Sequence, residues 1–423
     1  MSTTALSDAL ASAKERYAAR NPSSRAQWHS ASRAMPGGNT RTILYFDPFP
    51  LCMVRGEGCH LFDADGHRYV DLLGEYTAGI FGHSNPIIRT AVIEALEKGI
   101  NLSAHNDAEI RLANLIRERY ASIELLRFTN SGTEANLMAI ATSIAFTGRR
   151  RIMVFDGAYH GSVLKFGGAP SPINVPHEFL IAPYNDIDAA RMLIRDNAGE
   201  LGAVLVEPML GSGGCIPGDP QFLRMLGEEA RASGTLLIFD EIQTARLSAG
   251  GRQALLGMRP DLTTLGKYHG GGLSFGAFGG RADVMSLYDP RNPDHLSHAG
   301  TFNNNVLSMA AGYAGLSAVA TAESLDGLNR RGDLLRAEVN ALFEGARTGL
   351  RVSGLGSLMN IHAGGVPSSN APANALVFFD LLERGFYCAP RGLIALSLAI
   401  DDTHIRAFIA AIRDLLEYRS GLL

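Results

Sequence analysis

Short apolar runs alternating with longer helical patterns between residues 85 and 310 predict an α/β chain whose large domain is a mainly parallel sheet flanked by helices. Two further observations predict a second, smaller α+β domain. The chain's 423 residues exceed one ordinary compact core. The stretches on either side of the alternating region read differently from it, one as a strand-rich entry and the other as a helical close. The expected organisation is an N-terminal segment 1–84 contributing to the small lobe, a large domain 85–310 and a C-terminal small domain 311–423.

Residues 1–40 read as a polar helix, Asp8 to Ala19 preceded by Ser7, and then the loop Met35-Pro36-Gly37-Gly38-Asn39. Extended pieces follow at His60-Leu61-Phe62-Asp63 and Arg68-Tyr69-Val70-Asp71, separated by the turn Ala64-Asp65-Gly66. Within the large domain the strand candidates are Leu126–Phe128, Ile152–Phe155, Ala203–Val206 and Leu236–Phe239. The small-residue run Ser308 to Ala320 reads as a buried helix. At the end, Ile405, Phe408, Ile409, Ile412, Leu415 and Leu416 form a one-faced stripe at helical spacing, with Asp402 as its cap.

Bulk composition narrows the functional classes. A chain 46% hydrophobic and 19% charged, with net charge −4, is neither disordered nor polybasic, so nucleic acid is not the expected partner. Cys52, Cys59, Cys215 and Cys388 form no CxxC pair and no zinc-like spacing with histidine, and they read as reduced thiols. No signal-peptide core and no run of about 18 apolar residues is present, which leads to the expectation of a cytoplasmic protein without membrane contact.

Only four lysines occur, Lys14, Lys98, Lys165 and Lys267, and Lys267 has an unusual setting. It lies between Thr263-Thr264-Leu265-Gly266 and Tyr268-His269-Gly270-Gly271-Gly272, where glycines allow close approach of backbone to a ligand. A partly desolvated lysine there suits a Schiff-base nucleophile, and a surface lysine on a loop is the alternative. Asp240 closes the apolar strand Leu236 to Phe239, at the carboxyl end where ligands gather in open α/β sheets. A carboxylate there can keep a cofactor's pyridine nitrogen protonated, or it can simply cap the next segment. Ser131, Gly132 and Thr133 form a small-residue turn before a helix, which fits a phosphate but also fits ordinary capping. Tyr159, after the strand Ile152 to Phe155, can stack on a planar cofactor, and His160 beside it reads as a packed or supporting residue.

In this order the motifs resemble the class III aminotransferases of the type I pyridoxal-phosphate fold, including glutamate-1-semialdehyde aminomutases. The resemblance runs from Pro36-Gly37-Gly38 through Gly56-Glu57-Gly58 and Asn130-Ser131-Gly132-Thr133-Glu134-Ala135 to Gly300-Thr301-Phe302-Asn303. It implies pyridoxal 5'-phosphate as cofactor, with Lys267 holding it and moving the proton, and Asp240 on the pyridine nitrogen. Ser131, Gly132 and Thr133 would hold the phosphate, Tyr159 and Ile242 would sandwich the ring, and Gln243 would join the cofactor site. Thr301 would reach the phosphate of a neighbouring subunit, so a homodimer with shared sites is expected, and no metal.

Within the class, Asn39-Thr40-Arg41, Glu75-Tyr76-Thr77-Ala78-Gly79, Thr263 to Gly280 and Gly300 to Asn305 resemble β-amino-acid aminotransferases of the β-phenylalanine type. That resemblance implies Arg41, Tyr76 and Arg391 as substrate-binding residues, with Arg41 on the donor carboxylate and Arg391 helping to accept the 2-oxo acid. A guanidinium grips a carboxylate through two parallel hydrogen bonds, which is the chemistry both roles need. The implied reaction is a ping-pong transfer of the amino group of a β-amino acid to a 2-oxo acid such as 2-oxoglutarate or pyruvate. The rivals are an aminomutase-like transfer within one molecule and a catalytically silent binding protein on the same fold. The residues after Asp240 and the Met209-Leu210-Gly211-Ser212 stretch are where the pocket departs from relatives.

Overall fold

The computed structural model describes residues 3–168, 171–363 and 372–423. The chain forms two compact units, one of residues 1–85 with 328–423 and one of residues 86–327. Residues 311–327, expected with the C-terminal part, thus fall in the second unit. Of these, residues 311–319 complete the helix Val306–Ala314 and its π-helical continuation Gly315–Val319, an element that the sequence boundary at 310 would have cut.

The second unit is built on a seven-stranded sheet. Its strands are β1 (Leu125–Thr129), β2 (Arg151–Phe155), β3 (Glu178–Ala182), β4 (Leu201–Val206), β5 (Leu236–Asp240), β6 (Leu262–Gly266) and β7 (Gly276–Gly280), in the spatial order β1-β7-β6-β5-β4-β2-β3. The neighbours β6, β5, β4, β2 and β3 run parallel, and β7 runs antiparallel to both β6 and β1. Every residue of β4, β5, β6 and β7 is buried, as expected for strands covered on both faces. This explains why the apolar runs are continuous rather than alternating.

Sequence reasoning did not identify β7, because Gly-Ala-Phe-Gly-Gly has little strand propensity. Packing supplies the reason for its composition. A Cβ on Gly276 would stand 2.2 Å from the Ser131 carbonyl oxygen and 2.3 Å from Thr129 Oγ1, so the strand fits only without side chains there.

Helix starts follow local capping chemistry. Ser131 caps Gly132–Thr147, accepting from the Glu134 N–H, and Gly148 ends that helix in the left-handed region. Asp186 and Asp219 cap Ile187–Asp196 and Pro220–Ser233 in the same way.

The other unit combines pieces from both ends of the chain. Met53–Glu57, His60–Asp63 and Arg68–Asp71 form an antiparallel meander, and Phe386–Tyr387 adds in parallel beside Arg68–Asp71. A second sheet holds Leu350–Leu355, Leu358–Ala363 and Leu393–Ala395. The helix Asp402–Tyr418 buries Phe408, Ile409, Ile412 and Leu415 as its stripe requires, and its cap is Asp401, one residue before the expected one. The first helix, Thr3–Arg20, begins earlier than Ser7.

Candidate active site

In the second unit, the carboxyl ends of the adjacent parallel strands β5 and β6 deliver Asp240 and Lys267 to one cavity of about 180 Å³. Gly132, Thr133, Tyr159, Ile242 and Gln243 also line it. Lys267 follows β6 immediately and adopts φ 55°, a left-handed conformation that a side-chain-bearing residue takes only when its surroundings fix it. Such a backbone outlier at the mouth of a strand is typical of a side chain aimed at a ligand.

Asp240 is buried, and its carboxylate is held from three directions. Oδ1 accepts from the Ile242 N–H at 3.0 Å, and Oδ2 accepts from Asn136 Nδ2 at 2.8 Å and lies 2.7 Å from His160 Nδ1. Asn136 is itself fixed, because its Oδ1 accepts from Thr264 Oγ1 at 2.7 Å and its Nδ2 also donates to the His160 carbonyl. A carboxylate so anchored is a preorganised anion, with no reorganisation needed when a cation comes to it.

Glu207, after β4, is the second carboxylate of the cavity. It accepts from the Tyr159 N–H at 2.9 Å and the Gly211 N–H at 3.0 Å. Burial pushes its carboxyl up to about 7, with His160 pulling it down and Asp240 pushing it further up. Sequence reasoning did not single out Glu207, Asn136 or the His160–Asp240 contact. Glu207 carries the same signal that marked Asp240, an acidic residue directly after an apolar strand. Asn136 sits inside a helix and has no such signal.

Ser131 uses its side chain as the helix cap and is not among the residues lining the cavity, whereas Gly132 and Thr133 are. The first N–H groups of the helix Gly132–Thr147 have no partner within the helix, and with the helix dipole they suit a phosphate. A Cβ on Gly132 would stand 2.4 Å from Ile242 Cδ1, so the glycine makes room for Ile242 at the cavity wall. Gln243 packs against Gly211, where any Cβ would lie 2.3 Å from its amide, which ties the Met209–Ser212 stretch to the pocket. Thr301 is elsewhere. It is exposed and lines a larger cleft of about 600 Å³ with Leu102 and Phe302, a cleft that contains neither Lys267 nor Asp240.

In the unit formed by the chain's two ends, Arg41, Tyr76 and Arg391 share one neighbourhood. The Arg41 guanidinium lies 5.3 Å from the Tyr76 ring centroid and pairs with Glu75. Burial pushes the Tyr76 hydroxyl up, against the downward pull of Arg391 and Arg41. Gly74, Glu75, Tyr76 and Thr77 all have positive φ, between 48° and 81°. A run of left-handed residues costs roughly 1–2 kcal/mol for each non-glycine member, a cost that tertiary contacts must offset. One such contact is the Tyr76 hydroxyl donating to the Ile43 carbonyl at 3.0 Å.

The cavity fits pyridoxal 5'-phosphate on the chemistry of its donors. It has an amine at Lys267, a fixed anion at Asp240, an aromatic and an aliphatic wall at Tyr159 and Ile242, and a helix N-terminus at Gly132. His160 Nε2, buried and with no hydrogen-bond partner among the described residues, shows that polar capacity is left for a further group.

Comparison with known proteins agrees with this chemistry. The family model for class-III aminotransferases matches residues 45–416. The chain is 53% identical to a β-phenylalanine transaminase of Variovorax paradoxus, covering 100% of this chain and 99% of the relative. It is 37% identical to a glutamate-1-semialdehyde 2,1-aminomutase of Sorangium cellulosum, over 96% of this chain and 98% of the relative. The crystal structure of a β-phenylalanine aminotransferase from Variovorax paradoxus superposes with a TM-score of 0.96 over 99% of both chains at 53% identity. That of an omega-transaminase from Sphaerobacter thermophilus gives 0.87 at 38% identity, over 93% of this chain and 97% of that one. A match over nearly the full length, with a cavity whose donors suit the family's cofactor, establishes that the chain belongs to the class III aminotransferases, which depend on pyridoxal 5'-phosphate.

Proposed function

We propose that this aminotransferase moves the amino group of a β-amino acid of the β-phenylalanine kind to a 2-oxo acid such as 2-oxoglutarate or pyruvate, by ping-pong exchange. The observation that carries the chemistry is the delivery of Lys267 and Asp240 from adjacent strand ends to one cavity. The β-amino acid follows from the full-length similarity to the Variovorax enzyme.

Gly132 and Thr133 hold the cofactor phosphate through the start of their helix, with Ser131 shaping the turn. Tyr159 and Ile242 enclose the ring, and Gln243 closes the wall beside Gly211. Asp240 sits on the pyridine nitrogen, with Asn136 and His160 keeping its carboxylate in place. When bound, pyridoxal phosphate supplies the carbonyl that condenses with the donor amine and the protonated ring that accepts the electron pair of the broken C–H bond. Lys267 Nζ takes the proton from the donor's amine-bearing carbon in one half-reaction. In the other it delivers a proton to the corresponding carbon of the 2-oxo acid. Arg41 binds the donor carboxylate, Arg391 the acceptor carboxylate, and Tyr76 supports Arg41 through its ring face.

The assembly proposed is a homodimer, with Thr301 reaching the cofactor phosphate of the second subunit. The exposure of Phe302 (59%) and Leu102 (46%) beside Thr301 supports a covered surface there. No helix among the described residues is long and apolar enough to cross a membrane. The location proposed is the cytosol, where thiols such as Cys52, Cys59 and Cys388 stay reduced.

The test is an absorbance scan of the purified protein before and after racemic β-phenylalanine, without acceptor. The band of the lysine-bound cofactor should fall on adding the donor and return with 2-oxoglutarate. A band that ignores this donor but responds to α-amino acids overturns the substrate assignment. Turnover with no external 2-oxo acid would favour the aminomutase reading.

A further inference from the structure

In the unit formed by the two ends of the chain, Cys59, His60 and His404 bring one sulfur and two imidazole nitrogens within 4.8 Å of one another. Cys59 Sγ lies 3.7 Å from His60 Nδ1 and 3.2 Å from His404 Nε2. We propose that these three side chains form a binding site for a zinc-class divalent cation, with the fourth tetrahedral position left to water.

The spacing supports this reading. In tetrahedral zinc sites metal–sulfur bonds of about 2.3 Å and metal–nitrogen bonds of about 2.0–2.1 Å place sulfur and nitrogen ligands about 3.6 Å apart. Both sulfur–nitrogen distances lie within a few tenths of an ångström of that value, and all three ligand atoms lie within 4.8 Å of one another. One thiolate with two imidazoles is also a donor set suited to zinc rather than to calcium or magnesium.

The support around the site is of the kind that orients metal ligands. Asp401 caps the helix Asp402–Tyr418, and its Oδ1 lies 2.7 Å from His404 Nδ1. The Asp401 N–H also lies 3.4 Å from Nδ1, but the carboxylate contact is the shorter; with Nδ1–H donating to that carboxylate, the lone pair is on Nε2, the atom that faces Cys59. Asp401 and Asp71 act electrostatically on the Cys59 sulfur and Arg68 opposes them, while at His60 Arg68 outweighs Glu57, so the case for a cation rests on the donor geometry. Cys59 is 4% exposed while both histidines are only partly buried, which gives a shielded sulfur and an entry path through the imidazoles.

The cation takes the sulfur in place of the thiol proton, one proton leaves to solvent, and the two neutral imidazoles donate lone pairs. One proton should therefore leave per cation bound. Cys59 lies in the turn between two N-terminal strands and His404 in the first turn of the C-terminal helix, so the cation would cross-link residues 345 positions apart.

The experiment uses the holoenzyme, stripped of metal with EDTA and dialysed, and titrated with zinc against a chromophoric chelator. A parallel titration with cobalt(II) reads the sulfur-to-metal absorption band in the near ultraviolet. The expected result is one zinc per chain with a Kd on the order of 1 µM or tighter, and a cobalt–sulfur band. Cys59→Ser should abolish the band and weaken zinc at least about 100-fold, while transamination is unchanged. Asp401→Asn retains a good helix cap and should weaken zinc about tenfold. His60→Gln, which removes a partly exposed ligand, gives the same test if Cys59→Ser fails to fold, and Cys52→Ser must leave binding intact. Absence of the band in the unsubstituted protein means that Cys59 merely donates its S–H to His404, and the proposal is overturned. Zinc affinity that survives Cys59→Ser overturns it equally.

Discussion

Replacing Gly132 by alanine should separate cofactor binding from stability. Gly132 is the first residue of its helix and has no positive φ, so alanine is compatible with the backbone and should stabilise the cofactor-free protein by up to about 1 kcal/mol. The added methyl would meet Ile242 Cδ1 at 2.4 Å, Cγ1 at 3.1 Å and Cγ2 at 3.3 Å. Carbon atoms prefer separations of about 3.5–4.0 Å, so the Ile242 terminal methyl must retreat by roughly 1.1–1.6 Å. Without cofactor it can retreat into the cavity it lines. With the ring bound against Ile242 that space is taken, and overpacking of this kind costs about 1–3 kcal/mol. The cost then appears as a 5- to 150-fold weaker cofactor Kd, at roughly 1.4 kcal/mol per tenfold. Titration of the cofactor-free protein with pyridoxal phosphate measures the affinity, and a thermal melt of the same sample measures the stability. An affinity within twofold of the unsubstituted protein would refute the placement of Ile242 against the ring. A large loss of melting temperature in the cofactor-free protein would refute the claim that the cavity relieves the overlap.

Borohydride reduction followed by mass spectrometry should find one cofactor adduct per chain, lost in Lys267→Ala together with all turnover; an adduct on Lys14, Lys98 or Lys165 instead would reassign the nucleophile. Arg41→Ala should lower kcat/KM for the β-amino acid by roughly 10- to 100-fold, the worth of about 1.5–3 kcal/mol for a charge-assisted hydrogen bond, while cofactor affinity stays unchanged. Glu207 has a folded carboxyl raised to about 7, so the folded state holds a proton that the unfolded chain releases near its ordinary value of about 4.5. Its contribution to stability therefore falls as pH rises from about 4.5 to about 7, and the melting temperature of the unsubstituted protein relative to Glu207→Gln should fall across that window; parallel curves would contradict the assignment. Asp380 is fully buried and forms two hydrogen bonds to Arg419, at 2.7 and 2.8 Å. Asp380→Ala leaves that guanidinium without its buried partner and should cost about 3–5 kcal/mol in denaturant unfolding.

Much of the fold was legible because its signals are local. The continuous apolar runs now seen as β2, β4 and β5 reflect burial on both faces, and the stripe of the C-terminal helix reflects one buried face. The acidic residue after β5 and the lysine among glycines after β6 marked the cavity because residues at the carboxyl ends of parallel strands share one edge of the sheet. The strand β7 was not legible. Gly276 is dictated by the carbonyl of Ser131 and the side chain of Thr129, Gly279 by the carbonyl of Leu125 and Gly280 by that of Asp261, residues that come to lie beside the strand only once the sheet has formed.

Sequence alone therefore determined the class of fold, the family and the type of chemistry, since each rests on periodicity or on motifs of a few consecutive residues. Only the tertiary structure decided which side chains act together. Asn136 and His160 converge on Asp240 from a helix and a loop, and Thr264 of the neighbouring strand holds Asn136. Arg41 and Arg391 meet around Tyr76, and Cys59 meets His404 across 345 positions. Such gatherings depend on long-range packing, which joins residues by burial and geometry and leaves no spacing in the chain from which they could be read.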